Sequence, residues 1–492
     1  MSTRSFLRFA LNGTLHEVSG SDASMMLADW LRTRRYLTGT KIVCAEGDCG
    51  ACTVLRAFPR PGRSRDLQFE PINACITMLA QLDGSHLISV EALQQDAALS
   101  PVQEAMVQKH GSQCGYCTPG FVMALCGLME KCREKPDTQT LKNHLTGNLC
   151  RCTGYTPIIE AGLSLDPAQW TSLSERFVTP SIVRSLQDSR GRAIEIAAPQ
   201  GKILAPIKLN EVSTLLKKHP KAILLASGTD LGVQMNKGKR ELGDVISLHL
   251  IPELYQMTQK GSVYQFGAKV SLEEVRRRCE KGIPEFSSLL NVFASPQIKN
   301  AATLVGNIAN ASPIGDTLPF LLVADGEVSV VKKPGKKVIP VTEIFQGYRK
   351  LALKSGEWIS SVSFRAPLKS EVLRLYKAAT RKDLDIASVS AAFLFQLKKN
   401  RKDNRTVIQS ARVALGGVAA IPLRMSRVES YLKDKVLDAT VVDEAQKLLQ
   451  EDIQPLSDHR GSASYRRILV QGFFQQYCDE IMHSREVQHA DS

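Results

Sequence analysis

Residues 44–52 read CAEGDCGAC, and a further cysteine stands at position 75. Four residues between the first two cysteines, two between the second and third, and a distant fourth is the plant-type spacing for a [2Fe–2S] cluster. Three thiolates come from one tight loop, in which Gly47 and Gly50 let the backbone approach the sulfides and take positive φ. Backbone N–H groups aimed at sulfur help set the potential. Zinc more often uses two C-x-x-C knuckles, and this loop has one. Cys44, Cys49, Cys52 and Cys75 are the first expected ligand set. Cys75 sits in the apolar stretch INACITML (72–79) and takes its role from the loop, not from its own surroundings.

A second set follows. QCGYCTPG (113–120) holds Cys114 and Cys117, and GNLCRCTGY (147–155) holds Cys150 and Cys152. The first pair opens a helix at Thr118-Pro119, and the second follows the end of the next helix. Helices running out and back bring the pairs together. Two close pairs also suit a Cys₄ zinc site, so spacing alone leaves zinc and iron–sulfur open. Beside a plant-type loop, a second [2Fe–2S] cluster is the expectation. Cys126, Cys132, Cys279 and Cys478 remain, and they read as buried structural thiols.

Outward from these motifs, composition sets bounds. At about 150 residues per domain, 492 residues suggest roughly three domains. Hydrophobic residues are 43% and charged residues 23%, ordinary globular values that argue against disorder, collagen or a coiled-coil rod. No uncharged apolar run reaches membrane-span length, and MSTRSFLRFALNG lacks a signal-peptide core, so a cytoplasmic protein is expected. Ten of the 12 cysteines fall between Cys44 and Cys152. In a reducing compartment that concentration points to metal, not disulfides.

The organisation is multidomain α+β. In residues 1–88, a hairpin at Asn12-Gly13, a helix over 21–38 and strands in TVLRAF, INACITML and HLISV fit a β-grasp domain. Residues 89–165 read as a four-helix-type domain. Ser100-Pro101 with Gln103 is a capped helix start, the helix after Pro119 carries its apolar residues on one face, and a third helix spans Thr138–Leu145. Residues 166–200 lack periodicity and read as a linker. Residues 201–370 and 371–492 form a two-lobed α+β region. Within 373–420, strands with a helix-like stretch between them are expected, and helices are expected over 441–449 and 463–481.

No G-x-G-x-x-G follows a strand and no P-loop is present, which argues against a Rossmann or P-loop nucleotide site. Two other Gly-rich pieces stand out: LLASGTDLG (224–232) and ATLVGNIANASPIGDTLP (302–319). The backbone amides and hydroxyls of the first could cradle a pyrophosphate, and the second could lie along an extended ligand. Read alone, either could be a set of tight turns.

Together the cysteine motifs resemble the iron–sulfur region of the xanthine oxidase family of molybdenum hydroxylases, in family order and with eight cysteines in place. The resemblance extends to the Gly-rich pieces, which look like flavin-contacting segments of the family's vanillyl-alcohol-oxidase-like FAD domain and its CO-dehydrogenase-flavoprotein-like C-terminal lobe. It implies FAD against Leu224, Leu225, Ala226, Ser227, Gly228, Thr229, Asp230 and Leu231, and against Phe293, Thr303, Leu304, Val305, Gly306, Asn307 and Asp316. Asn310, Ser312, Ile359 and Lys377 join them. Val305 stands where the family often has Gly, and Asn310 where it often has Thr. Gln113 matches a pterin-contacting residue, and RKDLDIAS (381–388) resembles a loop bearing on NAD access.

The resemblance further implies that this chain is the iron–sulfur and FAD subunit of a two-subunit enzyme of the bacterial type. Molybdopterin would sit on a molybdenum-binding large subunit, in a heterotetramer of two small and two large subunits. Electrons from xanthine or hypoxanthine oxidation to urate would pass through both clusters to FAD and on to NAD⁺. Other N-heterocycles or aldehydes are the alternative substrates, and an iron–sulfur carrier or scaffold without flavin is an alternative of another class. The net charge is +14, but the basic runs KKPGKK (332–337) and KKNRKDNR (398–405) have no interleaved aromatics. They read as solvated loops, not as a nucleic-acid site.

Overall fold

A computed structural model describes residues 3–59, 67–94, 98–332, 334–400 and 405–483. The chain forms two compact units, Met1–Tyr255 with Ser271–Glu273 and Ala294–Thr303, and Gln256–Val270 with Glu274–Phe293 and Leu304–Ser492. The boundary expected at residue 89 lies inside the first unit, and residues 201–370 are shared between the two.

The first unit opens on a five-stranded sheet. Strands Leu7–Leu11 and Thr14–Val18 form a hairpin whose turn residues, Asn12 and Gly13, both have positive φ, as a two-residue turn between right-twisted strands requires. Leu7–Leu11 also runs parallel to His86–Ile88, and Thr53–Ala57 and Glu70–Asn73 complete the sheet. Helix Leu27–Arg34 buries Leu27, Ala28, Trp30 and Leu31. INACITML is not the expected strand. It leaves the sheet at Asn73 and continues as short 3₁₀ turns, Ala74–Ile76 and Leu79–Gln81. Cys75 is thereby lifted out of the β-ladder.

Four helices follow: Pro101–Gln108, Thr118–Met129, Thr138–Leu145 and Thr156–Ser164. Ser100 and Gln103 make a reciprocal capping box, and Asp137 caps the third helix through the Thr140 amide at 2.7 Å. Thr118–Met129 is not one-faced as expected. Every residue from Gly120 to Met129 is buried, because the helix lies between strand Thr53–Ala57 and its sister helices. Residues 166–200 are not a bare linker either. They form helices Leu173–Phe177 and Pro180–Arg190 and strand Ile194–Ala198. Ile182 and Leu186, one helical turn apart, pack with Ala10. Two apolar residues were too few to register as a period. A four-stranded sheet with parallel pairs then carries the loop into helix Thr229–Asn236.

Besides the small antiparallel pair Phe345–Gly347 and Lys350–Leu351, the second unit holds two larger antiparallel sheets. The first orders Met257–Lys260, Val263–Gly267, Trp358–Arg365, Glu327–Val331 and Lys336–Pro340. Phe286 and Phe320 stack beneath it at 3.9 Å between ring centroids. The second is built on Glu371–Ala378, Val389–Lys399 and Thr406–Gly416. Among the described residues of 373–420 there is no helix, so the expected helix-like stretch is corrected to a loop. Within Val389–Lys399 the run AAFLF (391–395) is buried on both faces, and an unbroken apolar run does not separate strand from helix. Helices Ala439–Asp452 and Ala463–His483 close the lobe, with the Tyr477 hydroxyl donating to Val372 O at 2.7 Å and accepting from Phe395 N at 3.0 Å. The basic run 332–337 spans a hairpin tip where Lys337 pairs with Glu357 at 2.7 Å; Lys333, and residues 401–404 of the other run, lie outside the described residues. Among the described residues no helix is long and apolar enough to cross a membrane.

Candidate iron–sulfur and flavin sites

The 44–52 loop is wound by residues with positive φ at Ala45, Gly47 and Gly50. A Cβ on Gly47 would stand 2.5 Å from Ile76 Cδ1, so the loop must close on the Cys75 turn without a side chain there. The winding turns amides inward. Glu46 N and Cys49 N lie 3.4 and 3.5 Å from Cys44 Sγ. Cys44 shares sulfur hydrogen bonds with Cys49 and Cys75, and Cys52 with Cys75. The hydrogen bond from Cys49 holds the Cys44 thiol well below the usual range, and that from Cys75 lowers Cys52, while Cys49 and Cys75 are pushed up by the same sharing. Four interlinked sulfurs with converging amides fit a [2Fe–2S] cluster. Every cysteine is free of disulfide.

The second pocket sits at the start of helix Thr118–Met129. Cys152 and Cys114 sulfurs are 3.4 Å apart, and Cys117 shares a hydrogen bond with Cys150. Burial pushes the Cys117 thiol up to about 12. Cys150 N is fixed by the Tyr155 hydroxyl at 3.0 Å. Cys114, Cys152 and Gln113 are exposed. Cys126, Cys279 and Cys478 are buried, and Cys132 is half-buried.

The pockets are fastened to each other within the first unit. Leu149 N donates to Cys49 O at 3.0 Å. A Cβ on Gly50 would meet Gly147 O at 2.1 Å, and one on Gly120 would meet Gly50 O at 2.2 Å. Asn148 Nδ2 donates to Gly50 O at 3.1 Å, and the fully buried Gln297 donates to Asn148 Oδ1 at 2.8 Å and Thr53 Oγ1 at 3.1 Å. Thr53, Asn148, Asn236 and Gln297 were not singled out by sequence reasoning. Asn148 stood inside a quoted motif; the others gave no local signal.

The flavin residues divide between the units. In the first, strand Ile223–Leu225 carries Leu224 and Leu225, and Ala226 and Ser227 lead to Gly228, which adopts φ +67 and starts helix Thr229–Asn236 with Thr229, Asp230 and Leu231. A strand-to-helix turn of this kind presents backbone amides and the positive dipole end, which suits a phosphate. Thr303 is buried in this unit. In the second, Leu304, Val305, Gly306, Asn307 and Asn310 form helix Leu304–Asn310, where Asn307 Oδ1 accepts from Thr317 at 2.6 Å. Ser312 Oγ accepts from Ile314 N, and Ile359 is buried in its strand. Asp316 and Lys377 make a buried ion pair at 2.8 Å, and Lys377 lies over Phe293 at 6.0 Å. Burial holds the Asp316 carboxyl above the usual range despite Lys377. Among the described residues its buried Oδ1 has no hydrogen-bond partner, and it is an acceptor that suits a ring N–H of a bound flavin. The 381–388 loop is braced by Arg381 and Asp385 at 2.7 Å, with Leu384 at φ +69.

Fold and pockets together define an iron–sulfur flavoprotein, and the comparisons agree. Residues 89–163 match the family described as the [2Fe-2S] binding domain, 198–367 the FAD binding domain in molybdopterin dehydrogenase, and 374–481 the CO dehydrogenase flavoprotein C-terminal domain. The chain belongs to the molybdenum hydroxylase family. It is 30% identical to the xanthine dehydrogenase of Emericella nidulans over 99% of this chain and 39% of that protein. It is also 30% identical to xanthine dehydrogenase 1 of Arabidopsis thaliana, over 96% and 39%. The chain thus spans about two-fifths of the length of these relatives. Among solved structures it shares a fold with quinoline 2-oxidoreductase from Pseudomonas putida 86 (TM-score 0.52, 23% identity, 58% of this chain and 97% of that one). A Cu,Mo-CO dehydrogenase chain gives a TM-score of 0.51 at 23% identity, over 56% and 94%.

Proposed function

We propose that this chain is the electron-transfer part of a xanthine dehydrogenase, carrying electrons from a molybdenum-binding partner chain through two [2Fe–2S] clusters to FAD and then to NAD⁺. The observation that carries the reading is the pair of four-sulfur pockets fastened by the Cys49–Leu149 hydrogen bond. When bound, the clusters pass electrons singly and the flavin collects two, so one-electron centres join two two-electron reactions. Cys44, Cys49, Cys52 and Cys75 hold one cluster, and Cys114, Cys117, Cys150 and Cys152 the other. The exposed second pocket faces outward with Gln113, as a site that receives electrons from a pterin on another chain requires. In the first unit the 224–231 turn offers amides suited to a flavin pyrophosphate; in the second, Asp316 Oδ1 is an acceptor suited to a ring N–H, and Lys377 balances that buried carboxylate. The 381–388 loop governs NAD access.

Purine specificity is supported by the xanthine dehydrogenases at 30% identity. A second reading, the same role for another N-heterocycle or for carbon monoxide, is supported by the shared fold with the quinoline and CO enzymes. Molybdenum chemistry belongs to protein outside this sequence, and we assign it to a large subunit in a cytoplasmic heterotetramer of two small and two large chains. The test is an assay of the chain alone and with its molybdenum-binding partner. Alone, it should oxidise NADH with an artificial acceptor and leave xanthine untouched; with the partner, xanthine and hypoxanthine should turn over. Turnover of quinoline or carbon monoxide instead would favour the second reading, and xanthine turnover by the chain alone would overturn the division of labour.

A further inference from the structure

Helix Thr229–Asn236 starts at the flavin segment and ends on the first cysteine pocket, inside one compact unit. Its eight residues span about 12 Å. At its end the Asn236 side-chain amide donates to two carbonyls, Ala45 O at 2.9 Å and Cys75 O at 2.8 Å. Lys237 follows with an ion pair to Glu46 at 2.7 Å. Midway, Gly232 lies so near the Cys75 turn that a Cβ there would stand 2.4 Å from Ile76 O. These contacts grip both parts of the ligand set, the 44–52 loop and the turn that supplies Cys75.

The first carbonyl matters because of the opposite end of its peptide. Ala45 C=O and Glu46 N–H belong to one rigid plane. That N–H lies 3.4 Å from Cys44 Sγ while the oxygen is held by Asn236. Ala45 sits at φ +55, a conformation that a residue with a Cβ keeps only when its surroundings impose it. Releasing the oxygen lets the plane turn and weakens the N–H···S bond. Hydrogen bonds to ligand sulfur favour the reduced, more negative cluster, so losing one lowers the potential.

We propose that Asn236 is a positioning residue for the Cys44–Cys49–Cys52–Cys75 cluster, setting its reduction potential by pinning the Ala45–Glu46 peptide from the helix that begins at the flavin segment. The inference rests on the reading of these cysteines as a cluster site. Asn236→Ala removes the donor, and Asn236→Leu removes it at similar volume without adding a charge. Both are tested in the full, iron- and flavin-loaded chain by redox titration followed by electron paramagnetic resonance. Reduction of this cluster should become about tenfold less favourable, a downward shift of about 59 mV for one electron. The cluster on Cys114, Cys117, Cys150 and Cys152 should keep its wild-type potential. Unshifted potentials in loaded variants, or equal shifts of both clusters, would overturn this inference alone. A chain that takes up no iron would overturn the cluster reading with it.

Discussion

Leu149, the residue before Cys150, gives its backbone N–H to the carbonyl of Cys49 at 3.0 Å. The two sulfur pockets are therefore one hydrogen bond apart along the backbone, and the surrounding packing allows no slack. Gly50 is the tightest point, with φ +68 and the Gly147 carbonyl where its Cβ would be. Gly50→Ala is expected to force the 49–52 and 147–150 segments apart and to lower the iron content of both pockets together. Iron and sulfide analysis checks this; a fully loaded Gly50→Ala protein would contradict the packing argument.

Gln297 bridges the same segments from a dry position. Gln297→Leu leaves Asn148 Oδ1 without this donor in the interior. Each unsatisfied buried group costs about 1–3 kcal/mol. The expected result is a lower urea midpoint for loss of visible absorbance, with cluster content unchanged at zero urea. An unaltered midpoint would mean that the network contributes nothing to stability.

The cysteines sort by pocket. Cys75→Ser should remove only the plant-type signal and Cys150→Ser only the other, whereas Cys126→Ser and Cys478→Ser should keep both. Paramagnetic resonance of the reduced variants reads this directly. Loss of a cluster in Cys126→Ser without unfolding would mean that the ligand sets are misassigned.

The Asp316–Lys377 pair predicts a double-mutant result. Lys377→Met strands a buried carboxylate, and breaking such a pair from one side costs about 3–5 kcal/mol. Flavin retention and stability should both fall. Adding Asp316→Leu to Lys377→Met should recover part of the stability but not the flavin, because leucine offers no acceptor where Oδ1 stood. Full flavin content in the double variant would remove Asp316 from the site.

Buried His86 and half-buried His144 set an acid limit. Burial pushes His86 down to about 4 and His144 down to about 3. The unfolded chain, titrating near 6.5, takes up protons that the folded chain refuses between those values and 6.5. Stability therefore falls as pH drops through that window, by up to about 1.4 kcal/mol per pH unit for each histidine. Urea midpoints between pH 7 and 5 should decline, and His144→Gln should flatten the slope. A slope that His144→Gln leaves unchanged would place the acid sensitivity elsewhere.

Cysteine spacing made the eight candidate ligands legible, because cluster chemistry fixes both residue type and separation. The hairpin at Asn12-Gly13 and the Ser100 capping box were legible for the same local reason. What could not be read was long-range. Cys75 leaves its apolar run on a 3₁₀ turn, and the loop of Gly47 closes against Ile76 with no room for a side chain. Helix Pro180–Arg190 depends on Ala10, some 170 residues earlier, to bury Ile182 and Leu186. Gln297 and Asn236 act through partners more than 140 residues away, and no local pattern announces such a pairing.

One chain is expected to bind two distinct [2Fe–2S] clusters and a flavin. Iron, sulfide and flavin analysis of the purified chain, joined to paramagnetic resonance after reduction, tests it most directly. The expected result is about four iron and about four sulfide with about one flavin per chain, and two resolvable signals. Zinc in either pocket, a single signal, or iron without flavin would contradict it.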